Sequence, residues 1–436
     1  MTAPLAGVPD KEPNVVLPRA AAPQREVGYG ATPSTSSWWR VNLEDSETTP
    51  ELRWPECLAV YDAMHRQDAQ VASVLRAVSL PIRGTTWRLD PNGAPDEVVR
   101  HVALDLGLPV QGWPEDKLPT GRLRDRFSWQ EHLRHALLML RYGHMVFEQV
   151  YRIDEETGLA HLRKLGPRMP RSIAKFNVAR DGGLESIEQY PVGDAVSTAA
   201  VKGPVLPGSR LVVHSHEREA GNWAGQSLLR QAYKNWLIKD RLLRVQAQTV
   251  DRNGMGVPTY TTSENGGKDE LAAGHKIAES IRAGDSAGAA IPNGATLELK
   301  GVNGQLPDAD KPIRYHDEQI ARAVLAHFLN LGTQTGSWAL GSTFADFFTQ
   351  SLQAVAQDIA DVTTAHVVED LVDINYGGGV QAPRVVFDEI GSQTAAIAVA
   401  IKTLVDAGVL TPDEGLEAHM RLGLGLPTKT DEGNQQ

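Results

Sequence analysis

Residues 284–288 read GDSAG, which has the G-x-S-x-G spacing of a hydrolase nucleophile elbow. In that motif the serine lies on a sharp turn between a strand and a helix, and its hydroxyl attacks the substrate. Here the order is reversed, because residues of helical spacing precede Ser286 and the strand-like AAIP follows it. The sequence also has no HGGG-type stretch to form an oxyanion hole. We therefore interpret GDSAG as a turn between a helix and a hairpin, and we expect no enzymatic activity.

A second candidate for chemistry is LVVHSHER, which places His214 and His216 two residues apart on a predicted strand. Side chains at that spacing face the same side, and Glu217 and Glu219 follow closely. Imidazole and carboxylate groups can ligate zinc, but the sequence shows no third ligand of known position. We interpret these residues as polar groups at a strand end, and we expect no metal and no cofactor.

Gly267 and Lys268 raise the question of a phosphate-binding loop. The motif G-x-x-x-x-G-K-[ST] would require glycine at position 262 and serine or threonine at position 269. Those positions hold Thr262 and Asp269. The sequence therefore does not predict a P-loop ATPase.

The composition is that of an ordinary globular protein, with 41% hydrophobic and 22% charged residues in 436. The net charge of −11 opposes tight, general binding to nucleic acid, which depends on lysine and arginine. The single cysteine, Cys57, cannot form an internal disulfide or a cysteine-rich zinc site. The sequence begins without a basic region followed by an apolar one, and it has no apolar stretch long enough to span a membrane. We expect a cytoplasm-like, reducing compartment and no membrane contact.

Apolar periodicity predicts an α+β fold with several long helices. Pro81 should end the first helix, and Ser128 should cap the third with Glu131 three residues on. The predicted helices cover about 55–78, 96–106, 128–143, 226–253, 268–283, 312–331 and 344–373, with two more within 392–424. The predicted strands are TTWRL, MVFEQVYRI, LRKL, IAKFNV, LESIEQY, LVVHSH, GVPTYTT, AAIP, ATLELKG and RVVFDEI.

Two segments between the long helices have unusual compositions. Residues 255–301, here called the insertion, are predicted as a βαββ unit of about 46 residues. A unit of that size rarely stabilises itself, so we expect it to pack against other copies of the chain. The loop LGTQTGSWALGST, residues 331–343, is polar and flexible but carries no charge.

The order of these parts resembles that of bacteriophage portal proteins, especially the Mu-like branch. The resemblance covers about 38–426 and is carried by an ordered set of segments, none of which is a sharp motif alone. The segments are MHRQDAQVASVLRAVSLPIRGTTWRL, HALLMLRYGHMVFEQVY, LVVHSHEREAGNWAGQSLLRQAYKNWLIKD, DRNGMGVPTY and AAIPNGATLELKG. One departure is visible, since NLGTQTGSW replaces the aromatic-Gly-x-Pro-Pro stretch that many portals outside this branch carry.

The resemblance implies a portal architecture of α/β wing, long stem helices, small αβ clip, long tunnel helix and helical crown, assembled into a ring. Carried onto this sequence, the parts are a flexible arm (1–37), wing (38–225), stem helix 1 (226–254), clip (255–301), stem helix 2 (302–330), tunnel loop (331–343), long helix (344–373), wing strand (374–390), crown (391–426) and flexible tail (427–436).

The resemblance also implies functional residues. Those expected to line a DNA tunnel are Thr333, Gln334, Thr335, Gly336, Ser337 and Trp338. Those expected in the clip, for docking and contacts between subunits, are Lys268, Glu270, Lys276, Glu279 and Asn293. Those expected on the first stem helix are Lys239, Arg241, Arg244 and Arg252, which we interpret as a solvated face.

The partners implied are other copies of the chain, usually twelve, at one capsid vertex of the virion, after assembly in the host cytoplasm. The terminase large subunit and then the head-tail adaptor would dock on the ring, and the major capsid and scaffolding proteins would surround it. Double-stranded DNA would pass through without sequence specificity, which suits a net-acidic ring and an uncharged tunnel loop. The alternative is another phage structural protein, such as a capsid or baseplate component.

Overall fold

The computed structural model describes residues 47–114, 127–191, 203–254, 257–280, 289–300, 309–323 and 338–391. Within these ranges the side chains of 251–257 and 338–346 are not described. The predicted N-terminal arm, crown and tail lie outside the described residues, apart from residue 391, and so does Ser286. In the part of the chain that the structure describes, no helix combines the length and apolarity needed to cross a membrane.

Helices and strands alternate along the chain. The helices are α1 (Cys57–Gln67), α2 (Ala69–Gly84), α3 (Asp96–Leu106), α4 (Trp129–Ala136), α5 (Met139–Tyr142), α6 (Tyr233–Gly254), α7 (Lys268–Ser280), α8 (Asp310–Arg322), α9 (Trp338–Thr363) and α10 (Glu369–Tyr376). The strands are β1 (Trp87–Asp90), β2 (His144–Ile153), β3 (Ala160–Arg168), β4 (Ile173–Val178), β5 (Leu184–Gln189), β6 (Val205–Pro207), β7 (Leu211–Ser215), β8 (Val257–Thr261), β9 (Thr296–Lys300) and β10 (Arg384–Phe387).

The main body, defined as α1–α5, β1–β7, α9, α10 and β10, holds the principal hydrophobic core. It contains three antiparallel sheets, with strand orders β1-β10, β3-β2-β7 and β4-β5-β6. The apolar stripe predicted on the long helix is buried there at Phe348, Leu352, Val355 and Ile359. Strand β10 pairs with β1 across almost 300 residues of sequence, from Trp87 opposite Phe387 to Asp90 opposite Arg384.

The predicted first helix is two helices, because the chain turns at Asp68. The backbone of Asp68 is extended, and its carboxylate accepts hydrogen bonds from the N–H groups of Gln70 (2.8 Å) and Val71 (3.2 Å). This caps α2. The expectation that Pro81 ends the helix is wrong, since α2 continues to Gly84. A proline in the last turn costs only one helical hydrogen bond, and Thr85 N–H still bonds to the Pro81 carbonyl.

The predicted third helix has the expected ends. Ser128 Oγ accepts a hydrogen bond from Glu131 N–H (3.3 Å) and so caps α4, as predicted. Gly143 ends α5 with a φ of +91°, and a Cβ there would lie 2.4 Å from the Ala224 carbonyl oxygen. This turn and the segment before α6 therefore touch backbone to backbone, which only glycine allows.

The long helix predicted from 226 begins later, at Tyr233. The preceding residues are held against α5 instead. Leu228 N–H donates to the Leu140 carbonyl (2.9 Å), and Ser227 Oγ donates to the Arg141 carbonyl (2.7 Å). These hydrogen bonds hold the backbone before Tyr233 against the main body in a non-helical conformation. Helix α6 therefore begins only after them.

The predicted hairpin in AAIPNGATLELKG is wrong, because residues 289–292 form no strand. Instead β9 pairs with β8, from Val257 opposite Lys300 to Thr261 opposite Thr296. Gly294, with a φ of +84°, lies in the turn that precedes β9. The described part of the insertion is thus a βαβ unit with α7 between two antiparallel strands.

The long helix predicted for 344–373 begins six residues earlier, so residues 338–343 are helical rather than loop. It continues through a π-helical turn, Thr364–Val368, into α10 and ends at Tyr376. At the π turn, Thr364 Oγ1 accepts a hydrogen bond from Val385 N–H (3.0 Å). The wider turn therefore lies where the helix is fastened to β10.

A buried ionic cluster joins the paired helices α6 and α8 to the main body. Lys239 on α6 lies 2.9 Å from Asp68, the cap of α2, and 2.5 Å from Asp317 on α8. Its side chain is only 9% exposed, which corrects the expectation of a solvated residue. Burial alone would lower the pKa of Lys239, but the two carboxylates outweigh it and raise that pKa.

We predict that Lys239→Met destabilises the protein by about 3–5 kcal/mol, because it leaves the buried carboxylate of Asp68 and the partly buried carboxylate of Asp317 without a cation. Urea unfolding followed by circular dichroism measures this change. The matched control is Arg244→Met on the same helix, whose exposed pair with Asp240 should be worth less than about 1 kcal/mol. Equal effects of the two variants would contradict the role given to Lys239.

Three histidines, His132, His144 and His214, lie in the core of the main body. Burial lowers the pKa of His144 to about 4, that of His214 to about 3, and that of His132 well below its usual value. The rings of His132 and His214 have centroids 5.5 Å apart, and none of their four nitrogens has a hydrogen-bond partner. Protonation of any of these rings in the folded state would place an unsolvated charge in the core.

We predict that stability falls as the pH drops from 7 to 5. In the unfolded state these histidines take up protons near pH 6.5, whereas in the folded state they remain neutral, so acid favours unfolding. Over this range the loss is about 2 kcal/mol for each histidine. Urea midpoints at both pH values should show a smaller decrease for His214→Phe than for the wild type. His275 is exposed, so His275→Gln should keep the full decrease in urea midpoint between pH 7 and pH 5. If His214→Phe shows the same decrease as the wild type, His214 does not contribute to the loss of stability in acid.

Candidate functional site

The insertion is held together by contacts between α7 and β8. The centre of α7 packs on the Tyr260 ring at Gly274, where a Cβ would lie only 2.0 Å from the ring. Glu270 accepts hydrogen bonds from Ser263 N–H (3.1 Å) and Ser263 Oγ (2.9 Å), and from the Tyr260 hydroxyl (3.3 Å). The bonds from Ser263 lower the pKa of Glu270. Glu270 therefore serves the fold of the insertion itself.

The insertion buries very little apolar surface. In its described residues, 257–280 and 289–300, only Gly274 and Ala295 are buried. Large apolar side chains are exposed instead, namely Leu271 (57%), Ile291 (41%) and Leu299 (60%). The apolar groups of the insertion are thus directed outward, as expected for a unit that contacts another protein surface.

The other residues predicted for this unit are on its surface. Lys268 begins α7, and Lys276 and Glu279 follow on the same helix, all three exposed. Asn293 lies at an exposed turn before β9. Glu279 forms an exposed ion pair with His275 (3.2 Å). These four residues remain accessible to a partner, whereas Glu270 is engaged internally.

The helices α6 and α8 pack side by side, through the Lys239–Asp317 ion pair and a 3.0 Å contact between His316 Nδ1 and Asn235 Oδ1. Arg241 and Arg244 are exposed on α6, as predicted, and Arg244 pairs with Asp240 (2.9 Å). The backbone of Arg252 is helical, and its side chain lies outside those described.

Apolar side chains are also exposed on α6, between its basic residues. The exposed fractions are 51% for Leu237, 37% for Ile238, 43% for Leu243, 47% for Val245 and 65% for Val250. Leu243 and Val250 are seven residues apart and share one stripe of the helix. Ile238 and Val245, also seven residues apart, form a second stripe on another side of the helix, and Leu237 lies apart from both stripes. We call these five residues, which lie on more than one side of α6, the α6 apolar surface.

The predicted tunnel residues Thr333, Gln334, Thr335, Gly336 and Ser337 lie outside the described residues. Trp338 is the first residue of α9 rather than part of a loop. Their position relative to a channel therefore stays a prediction.

Sequence reasoning missed the contact of Gly274 with Tyr260 and the internal role of Glu270. A glycine in the middle of a predicted helix was the available signal, since it weakens a helix unless a close approach requires it. The sequence pattern also groups Lys239 with the solvated basic residues of α6. Nothing in the sequence near Lys239 indicated Asp68, which is 171 residues away.

The elements around GDSAG do not match a hydrolase elbow. Helix α7 ends at Ser280 on the N-terminal side, and residues 289–292 on the other side form no helix. An elbow needs a strand before the serine and a helix after it. The group of three metal-capable side chains found among the described residues does not include His214 or His216. No third ligand is therefore found beside this pair in the described part of the chain.

Solved structures with a similar fold include chains of gene transfer agent particles. A chain in the virion of a native gene transfer agent particle has a TM-score of 0.55 and 12% identity, covering 86% of this chain and 95% of that one. A chain in the neck of a native gene transfer agent particle, computed with C12 symmetry, gives the same values. An HK97-family phage portal protein from Corynebacterium diphtheriae has a TM-score of 0.42 and 14% identity, covering 78% and 97%.

The family model of the portal protein of Mu bacteriophage matches residues 58–422 of this chain. The match spans the main body, the paired helices α6 and α8, and the insertion. Portal proteins are a structural, non-enzymatic class. The chain belongs to the Mu bacteriophage portal protein family.

Proposed function

We propose that this chain is the subunit of a portal ring at one capsid vertex of a virion. The ring is the channel through which double-stranded DNA is packaged and later ejected. Its subunits assemble in the host cytoplasm and number twelve, a number supported by the C12 symmetry used for the similar neck structure.

The α6 apolar surface is the observation that carries this proposal. Full burial of a valine, leucine or isoleucine is worth about 1.5–3 kcal/mol, and five such side chains are at least one third exposed on one helix. In a ring, the two neighbouring copies of the chain would cover them from different sides, and the same contacts would repeat at every interface. The occupants proposed for this surface are therefore further copies of the chain.

The charge of the chain suits transit of DNA rather than binding. A net charge of −11 per subunit gives an acidic ring, which repels the phosphate backbone, and the predicted tunnel loop 331–343 carries no charge. DNA in such a channel makes few ionic contacts and passes without sequence specificity. Among the described side chains of α6, the exposed basic exceptions are Lys234, Arg241 and Arg244.

The insertion is the proposed docking platform, first for the terminase large subunit and then for the head-tail adaptor. Its exposed apolar residues and the charged Lys268, Lys276 and Glu279 supply a mixed surface of the kind found at protein interfaces. The major capsid and scaffolding proteins would contact the outside of the ring.

The ring is tested by measuring the mass distribution of the purified full chain. We expect closed oligomers for the wild type and mainly monomers for Leu243→Lys/Val250→Lys, because two charges would be buried at each interface. The control is Ile153→Lys, which places a charge at an exposed apolar residue on β2 and should still form rings. Circular dichroism verifies that the monomeric variant is folded. Rings that persist in the double variant would refute the α6 interface, and a monomeric wild type would refute the ring.

Docking is tested by the affinity of assembled rings for the terminase large subunit. We expect Lys268→Glu/Lys276→Glu to weaken binding on the order of tenfold while rings still form, because both side chains are exposed on α7. Arg163→Glu/Lys164→Glu on β3 makes the same change in net charge at another exposed site and should bind as the wild type does. Equal affinity of both variants would place docking elsewhere.

A further inference from the structure

Three metal-capable side chains meet inside the main body, away from the surfaces proposed for assembly. His101 and Asp105 are four residues apart and therefore lie on one face of α3. His161 comes from β3, and one potential ligand atom from each residue lies within 4.8 Å of the other two. Two imidazoles and one carboxylate form a ligand set that zinc commonly takes in proteins.

The distances in this cluster are close to those of a metal site. His161 Nδ1 lies 2.7 Å from Asp105 Oδ1, and His101 Nε2 lies 3.5 Å from Asp105 Oδ2. Ligands bonded at 2.0–2.1 Å to a tetrahedral zinc ion are about 3.3 Å apart. The two observed distances lie on either side of that value, and the three ligand atoms lie within 4.8 Å of one another, so side-chain rotations that widen the shortest gap and narrow the widest one would admit an ion.

His101 supplies an independent sign of a missing ligand. Its side chain is only 4% exposed, and its Nε2 has no hydrogen-bond partner although it is directed at the cluster. Leaving a buried polar nitrogen unsatisfied costs about 1–3 kcal/mol. A metal ion between His101 and Asp105 would remove that cost.

The groups around the cluster hold the ligands as groups around protein metal sites do. The other ring nitrogen of His101 lies 3.0 Å from the Tyr376 hydroxyl at the end of α10. The second oxygen of Asp105 accepts a hydrogen bond from Leu162 N–H (2.7 Å). Ligating histidines and carboxylates are usually held in this way by a second set of partners.

We propose that His101, Asp105 and His161 bind one Zn²⁺ ion per chain, with water as the fourth ligand. Water can reach the ion beside His161, whose side chain is 13% exposed. The bound ion would link α3, β3 and, through Tyr376, α10. Zn²⁺ thus stabilises the main body, whether or not the chain forms a ring.

The test is calorimetric titration of Zn²⁺ into the full chain after dialysis against a chelator. We expect one tight site per chain and a rise of several degrees in the unfolding temperature at 100-fold excess over the dissociation constant. His101→Gln and His161→Gln should lose at least about tenfold in affinity, since removal of even an outer partner of a ligand costs 10–100-fold. Substitution with Co²⁺ should give a visible absorption band that is absent in His101→Gln.

Two further variants keep the test decisive if His101→Gln fails to fold. Tyr376→Phe removes only the hydroxyl that holds His101 and should weaken Zn²⁺ binding about 10–100-fold. His275→Gln disrupts an exposed histidine-carboxylate pair at the same helical spacing and should bind Zn²⁺ as the wild type does. No site of unit stoichiometry, or equal affinity in the wild type and His161→Gln, would show that the cluster is only a hydrogen-bond network.

Discussion

The buried contact of Lys239 with Asp68 and Asp317 is the constraint on which the arrangement of the other elements depends. The ammonium group of Lys239 on α6 lies 2.9 Å from Asp68, the cap of α2, and 2.5 Å from Asp317 on α8. Moving any one of these helices away would leave a buried charge without its partner, at a cost of several kcal/mol. Helices α2, α6 and α8 therefore keep one relative position. The paired helices are therefore fixed to the main body, where Ile320 and Ala321 of α8 are buried in the principal core, and the insertion lies between the two helices in the sequence.

This arrangement explains why the apolar surface of α6 and the apolar residues of the insertion remain exposed. The main body buries its own core fully, with Met64, Leu89, Leu133 and Ile359 almost without contact with solvent. The insertion and the exposed sides of α6 have no comparable core among the described residues. They expose Val250, Leu271 and Leu299 to solvent. In the proposed ring, the same contact repeated around an axis would bury such residues.

Local sequence signals predicted the elements of the main body well. Helix α3 has the predicted bounds 96–106, because acidic residues begin it and Gly107 ends it with a φ of +64°. The helix cap at Ser128 and the apolar stripe of α9 were also predicted correctly. In each case the deciding residues lie within a few positions of the element.

The errors arise where distant residues decide the structure. Residues 226–232 have a helical pattern, but hydrogen bonds to Leu140 and Arg141 hold them in another conformation. The partner of β9 is β8 rather than AAIP, and the charges that bury Lys239 come from positions 68 and 317. The cluster of His101, Asp105 and His161 likewise joins residues 60 positions apart, beyond any local motif.

The most direct test of the central claim is a cryo-electron microscopy map of the purified full chain, calculated without imposed symmetry. We expect a closed ring with an axial channel, in which the α6 apolar surface of each subunit is covered by its neighbours. Residues 333–338 should face the channel. Monomers, sheets or shells, or a ring in which α6 makes no contact between subunits, would refute the proposed assembly.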